Sequence, residues 1–204
     1  MNCKEHILPE LELATGQVRE ALQCILHTIL FIRSPGPVTP QDIDLEGFDF
    51  TYTRIANEMK IEKRVDDAIE SFLRSLSQIG PELLNGCLTL SFFERSASRQ
   101  LFGLVKHEER VIFEQWILRV VVNNTPRPIS NDSAAVIERQ RLQDTAEGML
   151  RSVLQKVFEN AGGPIDHVPP CMYEFEIHCS KRMDDRENAA TRFANMPSLI
   201  NLGN

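Results

Sequence analysis

Leu88-Thr89-Leu90-Ser91-Phe92 and, further on, Val111-Ile112-Phe113-Glu114-Gln115-Trp116-Ile117-Leu118-Arg119-Val120-Val121-Val122 decide the fold class. Both stretches are rich in β-branched and aromatic residues. In the first, Leu88, Leu90 and Phe92 alternate with Thr89 and Ser91, and in the second the drier face is Ile112, Trp116, Leu118, Val120 and Val122. Period two is the strand period, so these are two strands. The segment from about Ser96 to Glu109 between them is charged and reads as a loop, with no helix to carry a parallel crossover. Strands that follow each other without such a crossover pair antiparallel.

Working outward, Ile7, Pro9, Leu11 and Leu13 alternate with Leu8, Glu10 and Glu12, which predicts one short half-buried strand, Pro9 favouring a sheet edge. Thr15 is placed to cap a helix running to Ser34. Its apolar positions Val18, Leu22, Ile25, Ile29 and Ile32, with Ala21, Leu26 and Leu30, form a stripe wide enough for a deeply buried helix. Ser34-Pro35-Gly36-Pro37 ends it, and residues 34–46 read as a loop. Phe48, Phe50 and Tyr52 predict a strand. A second helix is expected from about Asn57 to Ile79, with Ile61, Val65, Ala68, Ile69, Phe72, Leu76 and Ile79 inward and Gly80-Pro81 as its stop. A third covers roughly Ser133 to Asn160, with Leu142, Ala146, Met149, Leu150, Val153, Val157 and Phe158 inward. Tyr173, Phe175, Ile177 and Cys179 form the last strand pattern. The reading is α+β, three helices packed on a mainly antiparallel sheet, which excludes a doubly wound nucleotide-binding fold. Residues 1–180 form one domain on this reading, and 181–204 a polar C-terminal tail with a weak helix.

The chain has 204 residues, 42% of them hydrophobic and 25% charged, enough to bury a core without disulfide or metal. Its 22 Lys and Arg against 29 Asp and Glu leave a net charge of −7. Nucleic-acid binding wants a basic face, and anionic membrane attracts one, so both classes are disfavoured. The most apolar run, Ile25 to Ile32, falls far short of a bilayer span, so no integral membrane contact is expected. Met1-Asn2-Cys3-Lys4-Glu5-His6 has no signal-peptide pattern, and five cysteines in no paired spacing read as reduced thiols. A cytoplasmic chain is expected.

Motifs for chemistry are scarce. Gly162-Gly163 follows a helix and precedes Pro164, the wrong context for a phosphate loop. His167, Cys171, His178 and Cys179 are the best metal candidates, yet neighbours on a strand point to opposite faces. A small enzyme using Cys171, Cys179 or a histidine is the alternative class; neither a cofactor nor a metal is predicted. His27 reads as a histidine hydrogen-bonded at the core edge. The segment Ser98-Arg99-Gln100-Leu101-Phe102-Gly103-Leu104-Val105 holds four large apolar side chains among charges, and apolar loop tips mark contact sites or fold back as core caps.

Several blocks carry a resemblance: Met1-Asn2-Cys3, the run Ala21-Leu22-Gln23-Cys24-Ile25-Leu26-His27-Thr28-Ile29-Leu30-Phe31-Ile32-Arg33-Ser34, then Phe48-Asp49-Phe50-Thr51-Tyr52-Thr53-Arg54, Leu88-Thr89-Leu90-Ser91-Phe92-Phe93 and the Trp116 strand. In this order they resemble the autophagy-related protein 101 family of HORMA domains. The resemblance implies a non-enzymatic adaptor of the autophagy-initiating kinase complex, at the preautophagosomal structure. It would pair with and stabilise the HORMA domain of autophagy-related protein 13. It further implies a projecting finger whose Trp, Pro and Phe fall here on Gln100, Leu101 and Phe102, with Leu104 and Val105 beside them. Its third helix would lie at the pairing contact, making Glu138, Arg139 and Arg141 the candidate face. A HORMA adaptor of chromosome or checkpoint signalling is the rival within the same fold.

Overall fold

The computed structural model describes residues 3–99, 106–125, 133–162 and 173–180. The fold is α+β, three helices against one face of a mixed sheet, an arrangement consistent with a HORMA-like domain. At its centre lie β6 (Leu83–Arg99) and β7 (Lys106–Asn123), paired antiparallel from Leu83–Asn123 to Arg99–Lys106. The outer edge of β7 carries β1 (Lys4–Ile7) and then β2 (Leu11–Ala14), both parallel to it. The outer edge of β6 carries β5 (Ser77–Gln78) and β8 (Glu174–Ser180), both antiparallel. A separate two-stranded sheet joins β3 (Pro40–Asp44) and β4 (Thr51–Ile55). The helices are α1 (Val18–Ile32), α2 (Met59–Ser75) and α3 (Ser133–Ala161).

The wide apolar stripe of α1 does what its width predicts. Ten of its fifteen residues are buried, His27 and Thr28 among them. Thr15 does not cap it, however. Thr15–Gln17 form a 3-10 turn; the Thr15 hydroxyl donates to the Asn124 side-chain oxygen, and the Ala14 amide donates to Gln17 Oε1 at 3.2 Å.

The strand expected over residues 7–13 is broken in two at Pro9, which has no amide to give to a ladder. Residues 8–10 stand opposite only residues 118–119 of β7, and that extra residue switches which side chains face inward. Ile7 is consequently 50% exposed and Leu8 only 2%, whereas Leu11 and Leu13 remain buried as expected. A second irregularity lies in β7. Phe92 pairs with Glu114 and Phe93 with Ile112, so Phe113 is the extra residue of a bulge and turns into the core.

Three further expectations change. The loop over 34–46 contains β3, a solvent-exposed strand whose only large apolar residue is Ile43, too polar to be visible as an alternation. The helix expected to reach Ile79 ends at Ser75. Leu76 turns extended, β5 pairs with Leu84 and Asn85, and Gly80-Pro81 becomes the turn of that hairpin, leaving Ile79 exposed. In α3, Val157 is buried while its neighbour Phe158 is 57% exposed, because residues 100° apart on a helix cannot both face the sheet. The tail 181–204 lies outside the described residues.

Helix α2 meets β6 at Gly86. A Cβ there would stand 2.7 Å from Cε2 of the fully buried Phe72 and 3.1 Å from Leu76 Cδ2. Gly86→Ala is therefore expected to lower stability by about 1–3 kcal/mol through overpacking, read as a lower midpoint in urea with unchanged slope. An Ile29→Asp chain, with a charge in the middle of the buried α1, should give no cooperative melt at all.

Candidate interaction surface

The expected loop over 96–109 is mostly strand. β8 leaves the sheet at the Phe93–Glu174 pair, yet β6 and β7 continue for six more pairs, from Glu94–Val111 to Arg99–Lys106. At about 3.3 Å per residue this two-stranded ribbon extends some 20 Å past the sheet. Its base is fastened to β8: Arg95 Nε lies 2.7 Å from Glu174 Oε1, Arg110 Nη1 lies 3.3 Å from Glu176 Oε2, and the Arg110 guanidinium sits 5.1 Å from the Phe93 ring centre. The ribbon delivers the chain to Gln100, Leu101, Phe102, Leu104 and Val105, which lie outside the described residues.

The candidate pairing face occupies the N-terminal part of α3. Glu138 and Arg141 are one helical turn apart and bonded twice, Arg141 Nε to Glu138 Oε2 at 2.9 Å and Nη2 to Oε1 at 2.7 Å. These bonds hold the Glu138 carboxyl below the usual carboxylate range and the Arg141 guanidinium above its own. Arg141 is exposed. Glu138 and Arg139 are half-buried, Arg139 on the helix side of Ala135, Ala146 and Leu150, so it does not share the Glu138–Arg141 side. Val136 and Ile137 are exposed beside them. Between this part of α3 and the end of β2 runs a groove of about 390 Å³, lined by Leu13, Gln17, Glu138, Leu142, Thr145 and Met149. The far flank of α3 is covered by the turn between β3 and β4. There Gln143 donates to the Gly47 carbonyl, the Asp49 amide to Glu147 at 3.3 Å, and Arg151 lies 4.9 Å from the Phe50 ring centre.

The titratable interior is set for inertness. Burial pushes the Cys24 thiol up to about 12 and the Cys179 thiol up to about 11, so neither supplies a thiolate at neutral pH. Cys179 Sγ faces the Ala68 carbonyl at 3.5 Å while the adjacent His178 is exposed, the opposite-face geometry that separates two of the proposed metal ligands. His167 and Cys171 lie outside the described residues. Among the described residues no cluster of His, Cys, Asp and Glu could hold a metal ion, and no helix is long and apolar enough to cross a membrane. His27 is more deeply placed than its reading at the core edge: it is buried, with its ring stacked 6.1 Å from Tyr52. Burial, aided by the Arg54 charge and opposed by Asp66, lowers it to about 4.

One set of residues escaped the sequence reading. Glu114, His6 and Arg33 are buried together beside Trp116. The signal was present: Glu114 holds an inward position of β7, between Ile112 and Trp116 in the alternation.

Comparison with known proteins is specific. The family model described as Autophagy-related protein 101 matches residues 10–174. The chain belongs to that family. A relative from Arabidopsis thaliana bearing the same name is 34% identical over 193 residues, 87% of each chain. The Xenopus laevis relative is 32% identical and the Homo sapiens relative 30%, each over 135 residues, which are 60% of this chain and 59% of theirs. The family is named for autophagy and for no catalysed reaction, and the role of the chain lies in autophagy.

The buried His27 makes stability depend on pH. Its ordinary value is 6.5, so below that the unfolded chain takes up a proton that the folded chain refuses until about 4. This contribution is complete above pH 6.5 and is lost as pH falls towards 4, by about 3 kcal/mol. Urea titrations at pH 7 and pH 4 should give a difference smaller by about that amount in His27→Gln than in the natural chain.

Proposed function

We propose that the chain is a non-enzymatic adaptor subunit of the autophagy-initiating kinase complex. It pairs with and stabilises the HORMA domain of autophagy-related protein 13, and it recruits downstream factors through the tip of the β6–β7 ribbon. It works in the cytoplasm and at the preautophagosomal structure. The observation that carries this reading is the ribbon itself. Two strands continue six residues beyond the sheet, braced at the base by Arg95–Glu174 and Arg110–Glu176, and lead towards residues 100–105. A braced hairpin presents a short apolar segment at little ordering cost. Family membership supports the autophagy context.

Pairing of two such domains calls for an interface of about 1,200–2,000 Å² in total. The N-terminal part of α3 supports that reading, with exposed Val136 and Ile137 beside the Glu138–Arg141 pair. Helix α1 is buried on nearly every side and offers no competing face.

Two variants test the two surfaces separately. Exchanging the pair, Glu138→Arg with Arg141→Glu, preserves its attraction within the helix and inverts the charges a partner meets. It should weaken co-elution with the partner HORMA domain while the lone chain melts unchanged; unaltered co-elution would place the pairing face off α3. Phe102→Ala should reduce recruitment of downstream autophagy factors more than Gln100→Ala does, because an aromatic anchor can dominate a small contact. Pairing and melting should be unchanged. A large fall in the melting midpoint of Phe102→Ala would mean that this ring caps the core and that the tip recruits nothing.

A further inference from the structure

Arg33, just past the end of α1, is held at both of its ends. Its Nε donates to Glu114 Oε1 at 2.9 Å and its Nη1 donates to the Ala161 carbonyl at 3.3 Å. Its own carbonyl accepts the Tyr173 hydroxyl. Ala161 ends α3 and Tyr173 precedes β8, so one arginine is bonded at both ends of the connection between those elements. On the other side, Glu114 Oε1 accepts Trp116 Nε1 at 2.5 Å and lies 3.8 Å from His6 Nε2 on β1. The His6 ring stacks on Trp116 with centres 4.1 Å apart, and the Arg33 guanidinium is 5.8 Å from the same indole.

Glu114 is 2% exposed and Arg33 4%. An ion pair this deep is a poor source of net stability, because desolvation offsets the attraction. Its consequence is cooperativity. Neither partner can leave without abandoning a charge in the interior, and each group bonded to the pair shares that constraint.

We propose that the Arg33–Glu114 pair is a conformational coupler, through which β1, the last turn of α3 and the entry to β8 open as one unit rather than fraying one by one. These are a short outer strand, the end of a helix and an edge strand, which in most folds loosen independently and first. Coupling them means that a partner holding one of the three also tightens the other two. This inference stands on the buried pair and the bonds that Arg33 makes to Ala161 and Tyr173, and is independent of the adaptor reading.

Amide hydrogen exchange on the full chain tests it. Tyr173→Phe removes only the hydroxyl that reaches the Arg33 carbonyl. Exchange should quicken together, by about tenfold, at Leu8 beside β1, at Gly162 after α3 and at Glu174–Phe175, as members of one opening unit do. The β2 amides Leu11–Leu13, away from the pair, should keep their natural rates. Arg33→Lys keeps the charge but not the fork that reaches Glu114 and Ala161 together, and should give the same pattern. Acceleration confined to Glu174–Phe175, or none, in Tyr173→Phe overturns the proposal. If Arg33→Lys does not fold, Tyr173→Phe alone decides.

Discussion

The burial of α1 is the constraint on which the rest depends. A helix with ten of fifteen residues out of water needs a wall on nearly every side, and one sheet face supplies only one. The β6–β7 strands give Leu88, Leu90, Trp116 and Leu118 beneath it, α2 adds Val65, Ile69 and Phe72, and α3 adds Leu150, Val153 and Val157. The small β3–β4 sheet closes the remaining side with Tyr52. Each of these elements has a reason to exist in the demand of the one helix. Because α1 is used up internally, the partner surfaces proposed above lie elsewhere, on the outer part of α3 and at the ribbon.

What was legible in the sequence follows from which residues had a core to face. The 3.6-residue stripe of α1, the Val65–Ile69–Phe72 face of α2, and the inward positions Trp116, Leu118, Val120 and Val122 all met the apolar interior their periodicity announced. Elements without a core beneath them were invisible. β3 carries Asp42 and Asp44 towards Thr53 and Thr51 and has almost no apolar pattern. The outer ribbon, whose letters are charged and do not alternate, read as a loop. Pairing partners distant in sequence misled the reading elsewhere: β6 captured the residues after Ser75 that seemed to continue a helix, and the break at Pro9 moved Ile7 outward and Leu8 inward.

The candidate surfaces were legible to a lesser degree. Arg141 lies exposed, while Glu138 and Arg139 are both half-buried, Glu138 at the groove and Arg139 on the side of Ala135 and Ala146, a difference of helix phase that neighbouring polar letters do not reveal. The buried Glu114 was visible as an acid in an apolar alternation, but its partner Arg33 sits eighty-one residues away in sequence, and only the fold brings them to 2.9 Å. The described interior otherwise keeps these groups quiet: the Cys24 and Cys179 thiols protonated, His27 neutral, and the deep Arg33–Glu114 pair bonded to backbone and indole. Such an interior suits a scaffold that holds two surfaces in fixed relation.

That two-surface account makes pairing its central claim, and native mass spectrometry of the unaltered chain mixed with the HORMA domain of autophagy-related protein 13 tests it most directly. The account predicts a one-to-one heterodimer that persists on dilution to concentrations at which neither chain self-associates. Separate monomers under the same conditions, with both chains shown to be folded, would contradict it.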